Sequence, residues 1–215
     1  MQAHPERGFT LVEIAIVLII VGLLLGGVLK GQELIVQARI RSVSNDMNGV
    51  TAAIYAYQDR YRALPGDERH VAVSGRWPEA SGGDGNGVIC GAYNGGTVGG
   101  GACGGEMESR LIWRHLRLSG LITGAGDEIP INAAGGLIGV QSGAFGLSGH
   151  VLCASNLPAK IAAAIDAQQD DGSPRTGSLR GARQNAPNAA ADPNPATDAA
   201  YQDDGSLIYL ICKAL

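Results

Sequence analysis

The sequence predicts an α+β chain: one long N-terminal helix, apolar in its first half and amphipathic in its second, packed on a small sheet that carries long glycine-rich loops. Three observations support this. Phe9 to Leu29 is an apolar run of 21 residues with a single charge, Glu13. Beyond it, apolar side chains recur at alternating steps of four and three from Val36 to Tyr61, the spacing of one helix stripe. Glycine then supplies 33 of the 215 residues, about twice its usual ~7% share, which favours loops over packed elements. Charged residues make up 17% and the formal net charge is −4, so the chain offers no broad basic surface to nucleic acid. Aromatic residues are 5%, so the core is small and mainly aliphatic.

The apolar run is the first element. At about 1.5 Å per residue it spans roughly 30 Å, the hydrocarbon thickness of a bilayer. A carboxylate in that setting costs about 2–3 kcal/mol if unpaired, so Glu13 requires a partner. An ordinary secretory signal places a small-residue cleavage site after its apolar core. Here the small-residue junction, Gly8–Phe9, comes before the run, and the run continues into more helix. Cleavage at that junction would remove eight polar residues and keep the hydrophobic helix as a new N-terminus.

The stretch Gly8-Phe9-Thr10-Leu11-Val12-Glu13, followed by about 20 apolar residues, resembles the N-terminal signal of type IV pilins and type II secretion pseudopilins. The resemblance implies cleavage between Gly8 and Phe9 by prepilin peptidase in the inner membrane, N-methylation of Phe9, and assembly with other pilin subunits into a helical filament by inner-membrane machinery. It also implies the type IV pilin fold, a long helix packed on a small antiparallel sheet. The likeness is strong over about the first 60 residues and diffuse beyond. Two features depart from the family pattern. There is no helix-kinking proline near the end of the run, the first proline after it being Pro65. The distribution of basic residues, with Arg7 and Glu6 before the run and Lys30, Arg39 and Arg41 after it, does not set orientation, which rests on the resemblance alone.

The second half of the helix carries Val36, Ile40, Val43, Met47, Val50, Ile54, Tyr57 and Tyr61 on its apolar stripe, with Gln37, Arg39, Arg41, Asn45, Asp46, Asp59 and Arg60 on the solvated face. Leu64-Pro65-Gly66-Asp67 is the stop signal. Gly22/Gly26 and Gly27/Gly31 stand at the four-residue spacing that lets membrane helices approach closely. Equally, each glycine weakens the helix by about 1 kcal/mol relative to alanine. The organisation expected is a cleaved leader (1–8), a transmembrane half-helix (9–29), an amphipathic half-helix (30–63) and an extracytoplasmic globular domain (64–215).

In that domain, residues 82–105 hold 12 glycines in 24 positions and read as a loop, with a turn at Asp84-Gly85-Asn86-Gly87. Asp84 and Asn86 imitate the opening of a calcium loop, but Val88 and the lack of the distant glutamate break that pattern, and no metal site is expected. A short helix is predicted over Glu106–Ser119, where His115 reads as a packed or surface residue. Another is predicted over Pro158–Gln169, capped by Asn156 and closed by Asp170-Asp171-Gly172. Asp166, Asp170 and Asp171 read as a solvated helix end in preference to a cation site. Ala182–Ala200, rich in Ala, Asn, Pro and Asp, reads as a surface excursion without order of its own. Leu207–Cys212 is apolar on both faces and reads as a buried strand.

Four cysteines, Cys90, Cys103, Cys153 and Cys212, show no CxxC pair and no histidine at metal spacing. They read as two disulfides in an oxidising compartment, with four reduced core cysteines as the alternative. Of the three possible connectivities, the one favoured closes the glycine-rich loop with Cys90–Cys103 and leaves Cys153 with Cys212, a C-terminal tie like that of many pilins.

The chain contains no nucleophile elbow, phosphate loop or HExxH, and neither enzymatic activity nor a cofactor is expected. A non-polymerising membrane-anchored binding protein would explain the apolar helix and the cysteines, but would leave Glu13 and the Gly8–Phe9 junction without purpose. The reading that uses all of them is a structural subunit held in the bacterial inner membrane, in contact with membrane lipid, then incorporated into an extracellular pilus or a periplasmic pseudopilus. Glu13 would pair there with the Phe9 amine of a neighbouring subunit. Size and the long glycine-rich loop favour a minor or specialised pilin.

Overall fold

The computed structural model describes residues 10–97, 103, 105–196 and 198–215. Helix α1, Leu11–Tyr61, is continuous for 51 residues and contributes to both compact units of the chain, Met1–Ala38 and Arg39–Leu215. In the first unit its apolar side chains are uncovered: Leu11 is 86% and Leu23 73% exposed. This stretch is long and apolar enough to cross a membrane. A Cβ placed on Gly22, Gly26, Gly27 or Gly31 would meet no other atom within 4 Å, so nothing within the described chain requires glycine there.

In the second unit the rest of α1 buries Ile40, Val43, Met47, Val50, Ala53, Ile54 and Tyr57. These are the inner six positions of the expected stripe with Ala53 added, while its two ends, Val36 and Tyr61, are only half-buried. Arg39, Arg41, Asn45, Asp46, Asp59 and Arg60 on the other face are exposed. Four strands follow: β1 (Ile138–Ala144), β2 (Leu147–Pro158), β3 (Leu179–Arg183) and β4 (Ile208–Ala214). They form one antiparallel sheet in the order β1-β2-β4-β3, so the last strand lies inside the sheet and is buried on both faces. A long helix with a small antiparallel sheet is the α+β architecture expected, that of the type IV pilin fold.

Strand alternation divides the sheet into two faces. One carries Ile138, Val140, Leu152, Ala154 and Ile211, each at most 2% exposed. Ile138 shares a cavity lining with Val50 of α1 and with Trp113 of α3 (Glu108–Leu118), which places this face toward α1 and α3; α2 (His70–Arg76) and α4 (Ala159–Gln169) are further helices of this unit. The opposite face carries small side chains, Ala144, Val151, Cys153, Leu210 and Cys212, packed with Tyr93, Phe145, Ala191 and Ala196. The expectation for Ala182–Ala200 is therefore corrected in part. Its first residues belong to β3, and Ala191 and Ala196, each 6% exposed, seat it against the sheet, while most of its other described residues are exposed, as a surface excursion requires. A face made of alanine and cystine is shallow, and an irregular alanine-bearing segment covers it without needing a helix.

Asn156 does not cap α4. Pro158 occupies the N-cap and no side chain bonds to the helix start. Asn156 instead sits at a bulge in β2, between Ala154 and Leu157, with φ +56. Its backbone N–H donates to Gln184 Oε1 at 2.7 Å and its Oδ1 accepts Asn188 N–H at 2.8 Å, fastening the covering segment to the sheet. α3 starts two residues later than expected and is buried on more than one side, with Trp113 at 0% exposure.

Two disulfides lie in the second unit. Cys90–Cys103 closes part of the glycine-rich loop, and Cys153–Cys212 joins directly opposed residues of β2 and β4, Cα to Cα 4.0 Å. With sequence separations of 13 and 59, the chain-entropy model assigns them about 3 and about 4 kcal/mol.

Candidate functional site

The start of α1 is a reciprocal cap. Thr10 is the N-cap, outside the helix, and Glu13 is the third helical residue. Glu13 N–H donates to Thr10 Oγ1 at 3.3 Å, and Thr10 N–H donates to Glu13 Oε2 at 2.8 Å. The Thr10 hydroxyl also donates to Oε2, at 2.7 Å. This is the capping box, in which the backbone N–H of each residue is satisfied by the side-chain oxygen of the other. Glu13 thus has partners inside its own chain, and its charge lies at the favourable end of the helix dipole. Thr10 was legible in the sequence as Thr-x-x-Glu before an apolar run, although the first reading of that stretch turns on Glu13 alone. Gly8 and Phe9 lie outside the described residues.

At the other end of α1 the chain is tied by a buried polar cluster. Tyr57 hydroxyl donates to Glu68 Oε2 at 2.5 Å, and Arg76 forms an ion pair with the same oxygen. The Arg76 guanidinium lies 4.5 Å from the Tyr61 ring centre and 4.9 Å from that of Trp77. Burial, with Glu68 beside it, holds the Tyr57 phenol protonated well above the ordinary tyrosine range. His115 is fully buried: Nδ1 accepts Gly66 N–H at 2.9 Å, and Nε2 lies 2.9 Å from Ser81 O. Those partners fix the neutral tautomer with the proton on Nε2. It packs in the interior and binds the turn after α1.

The acidic groups have structural partners too. Asp67 and Glu108 are 5% and 4% exposed. Asp67 accepts the N–H groups of Asn86 and Gly87, and Glu108 those of Asp84 and Cys90. A loop of glycines has few side chains with which to anchor itself, and these carboxylates anchor its backbone. Asp84 Oδ1 accepts Asn86 N–H at 3.0 Å, an Asx turn. Asp166 is not solvated as expected: it is 0% exposed, accepting Tyr201 hydroxyl at 2.6 Å and Gly172 N–H at 3.0 Å. Burial raises its carboxyl above the usual range. Asp170 accepts Leu179 N–H at 2.8 Å, and Asp171 accepts Ser173 N–H at 2.9 Å.

The features that point outward to other molecules are therefore at the N-terminus: an uncovered apolar helix and a capped carboxylate at its head. No curated protein and no solved structure matches this chain. Residues 4–29, however, match the family model of the prokaryotic N-terminal methylation motif, and this segment thereby carries the signature of type IV pilins and pseudopilins.

Proposed function

We propose that the chain is a structural subunit of a type IV pilus, a minor or specialised pilin, assembled through its N-terminal helix. The observation that carries this reading is an apolar helix with no cover among the described residues, headed by Glu13 and matched over residues 4–29 by the methylation motif. Prepilin peptidase cuts between Gly8 and Phe9, and Phe9 becomes the methylated N-terminus. Residues 9–29 hold the chain in the inner membrane, residues 30–63 carry the amphipathic half of the helix, and residues 64–215 form the extracytoplasmic domain. On assembly the Glu13 carboxylate pairs with the Phe9 amine of a neighbour, and the uncovered apolar face packs against other subunits. The glycines at positions 22, 26, 27 and 31, which no internal contact requires, admit those neighbours closely.

The same motif marks pseudopilins, so the second reading is a periplasmic pseudopilus of a type II secretion system. Filaments sheared from the cell surface contain the chain on the first reading and lack it on the second.

Mass spectrometry of the mature N-terminus tests the class as a whole. The expected result is a chain beginning at Phe9 with one added methyl group. A chain beginning at Met1, or cut after Leu29, would overturn the proposal. Glu13→Ala is expected to leave membrane insertion intact and to impair incorporation.

A further inference from the structure

Asparagine followed by glycine is open to attack by its own backbone, because glycine has no Cβ to shield the nitrogen next to the asparagine side chain. The chain contains three such pairs, Asn48–Gly49, Asn86–Gly87 and Asn94–Gly95, and the fold engages each differently. Asn48–Gly49 lies inside α1, where the helix ladder takes up the Gly49 N–H. Gly95 N–H donates to Ala92 O at 2.8 Å, and a backbone carbonyl is too weak a base to take its proton. Gly87 N–H donates instead to a carboxylate oxygen, Asp67 Oδ2, at 2.9 Å, within the reach required of a general base. Asp67 is 5% exposed and its other oxygen accepts Asn86 N–H at 3.0 Å, so the carboxylate is held at both oxygens. Val88 N–H donates to Asn86 Oδ1 at 2.7 Å, the atom on which negative charge gathers when Cγ is attacked. Asn86 Nδ2 donates to Asp84 Oδ2 at 2.8 Å, which sets the amide with its oxygen toward Val88 and its nitrogen toward Asp84. We propose that Asn86–Gly87 is a self-modification site, where the Gly87 nitrogen attacks the Asn86 side chain with Asp67 as base.

The step balances without a redox partner. A bond forms between Gly87 N and Asn86 Cγ and closes a cyclic imide, the N–H proton passes to Asp67 Oδ2, and Val88 N–H meets the charge on Asn86 Oδ1. The Cγ–Nδ2 bond then breaks with its electron pair leaving on nitrogen. That nitrogen takes the proton from Asp67 and departs as ammonia. Water opens the imide by breaking one carbon–nitrogen bond, its hydroxyl adding to the carbonyl carbon and its proton returning to the Gly87 nitrogen. Opening at Cγ gives aspartate at position 86; opening at the main-chain carbonyl gives isoaspartate, with the backbone rerouted through the side chain. Asn86 and Gly87 are both exposed, so water reaches the imide and ammonia escapes. The reacting groups are held by their hydrogen bonds before the attack, which reduces the ordering it requires. Either product sets a new carboxylate near Asp67 and Asp84 and removes the amide donor to Asp84, so the loop loses one of its anchors.

The test uses the purified full chain in detergent at neutral pH, with peptide mapping by mass spectrometry to follow amide-to-acid conversion at all three pairs. In the folded chain Asn86 is expected to convert about tenfold faster than Asn48 and Asn94, below the full range of general-base assistance because a carboxylate is a weak base. Isoaspartate is expected at position 86, since the imide yields it and direct hydrolysis of the side chain does not. In guanidinium chloride the rate at Asn86 is expected to fall, because the contacts with Asp67 and Val88 are gone. Asp67→Asn, which keeps an acceptor oxygen and removes the base, is expected to bring Asn86 down to the rate of Asn94. An Asn86 rate equal to that of Asn94 in the folded wild type would overturn the inference. So would a rise at Asn86 on unfolding, which would mean that the loop protects the pair, and so would an acid product free of isoaspartate. These three comparisons need no variant and decide the matter even where Asp67→Asn does not fold. An Asp67→Asn chain that melts as wild type does and converts at the wild-type rate would overturn it as well.

Discussion

His115 has neither ring nitrogen to spare. Nδ1 must stay unprotonated to accept Gly66 N–H, and Nε2 must carry a proton to donate to Ser81 O. Desolvation by burial lowers its affinity for a second proton. The groups around it are Glu68, Arg76 and Arg114, with the Tyr57 ring stacked 6.1 Å away. Because the folded state resists protonation, the contribution of His115 is fully present above its unfolded pKa of about 6.5 and is lost as pH falls below it. The buried carboxyls of Glu108 and Asp166 are raised instead. They work in the opposite sense, gaining stability as pH falls, so a comparison with a variant is needed to isolate the histidine. Between pH 7 and pH 5 the wild-type melting temperature should fall further than that of His115→Gln, in which both carboxyls remain. Equal slopes by differential scanning calorimetry would refute the assignment. Gly66 belongs to the same contact. It has φ +91, and a Cβ there would lie 2.5 Å from Glu108 O and 2.6 Å from Ile112 Cγ1, so the turn after α1 can approach α3 only through glycine.

At the scale of elements, the sheet is closed at its margins. The three N–H groups of β3 that face away from β4 belong to Leu179, Gly181 and Arg183. They donate to Asp170 Oδ2 at 2.8 Å, Pro174 O at 3.0 Å and Asp198 Oδ2 at 2.7 Å. On the far side, Ile138 N–H donates to Pro130 O. The loop at Ile89–Tyr93 also lies along β1, its N–H groups donating to Ser142 Oγ and Gln141 Oε1. Open edges invite pairing between chains. Asp198→Ala frees the Arg183 N–H and should produce concentration-dependent self-association, detectable by light scattering; a monomeric variant at all concentrations would argue against edge protection. The elements legible in the sequence were those with a long period or an unbroken apolar run: α1, α3, α4 and β4. The β1–β2 hairpin was not legible. Gly139, Gly143, Gly146 and Gly149 interrupt its alternation, and its turn is built on Phe145 and Gly146, at φ +50 and +75. Phenylalanine seldom adopts that conformation, and Asp192 O and Pro193 O hold it by accepting the two turn N–H groups. Those partners lie more than forty residues away, beyond the reach of any local pattern. The carboxylate at Glu13 was legible as a problem of charge in an apolar run. Its local partner was legible too, as Thr-x-x-Glu before an apolar run, but the pattern does not say that both Thr10 donors meet the same carboxylate oxygen.

At the scale of the whole molecule, the two ends of the chain are stabilised by different means. The head of α1 is uncovered among the described residues, whereas the second unit buries a small core and adds two covalent ties. Replacing Cys153 and Cys212 together by alanine should lower the unfolding free energy by about 4 kcal/mol, and replacing Cys90 and Cys103 by about 3 kcal/mol. Urea denaturation of the second unit would measure both, and a larger loss from the Cys90–Cys103 pair would contradict the entropic account. The longer tie also has a mechanical consequence. A pull applied through α1 and borne by the C-terminal domain can lengthen the chain only by paying out residues that are not enclosed between linked cysteines. The stretch from Cys153 to Cys212, a sequence separation of 59, stores a contour of about 200 Å at roughly 3.4 Å per residue. With the bond intact none of that length can be drawn out, and extension under tension is confined to residues outside the two cystine loops.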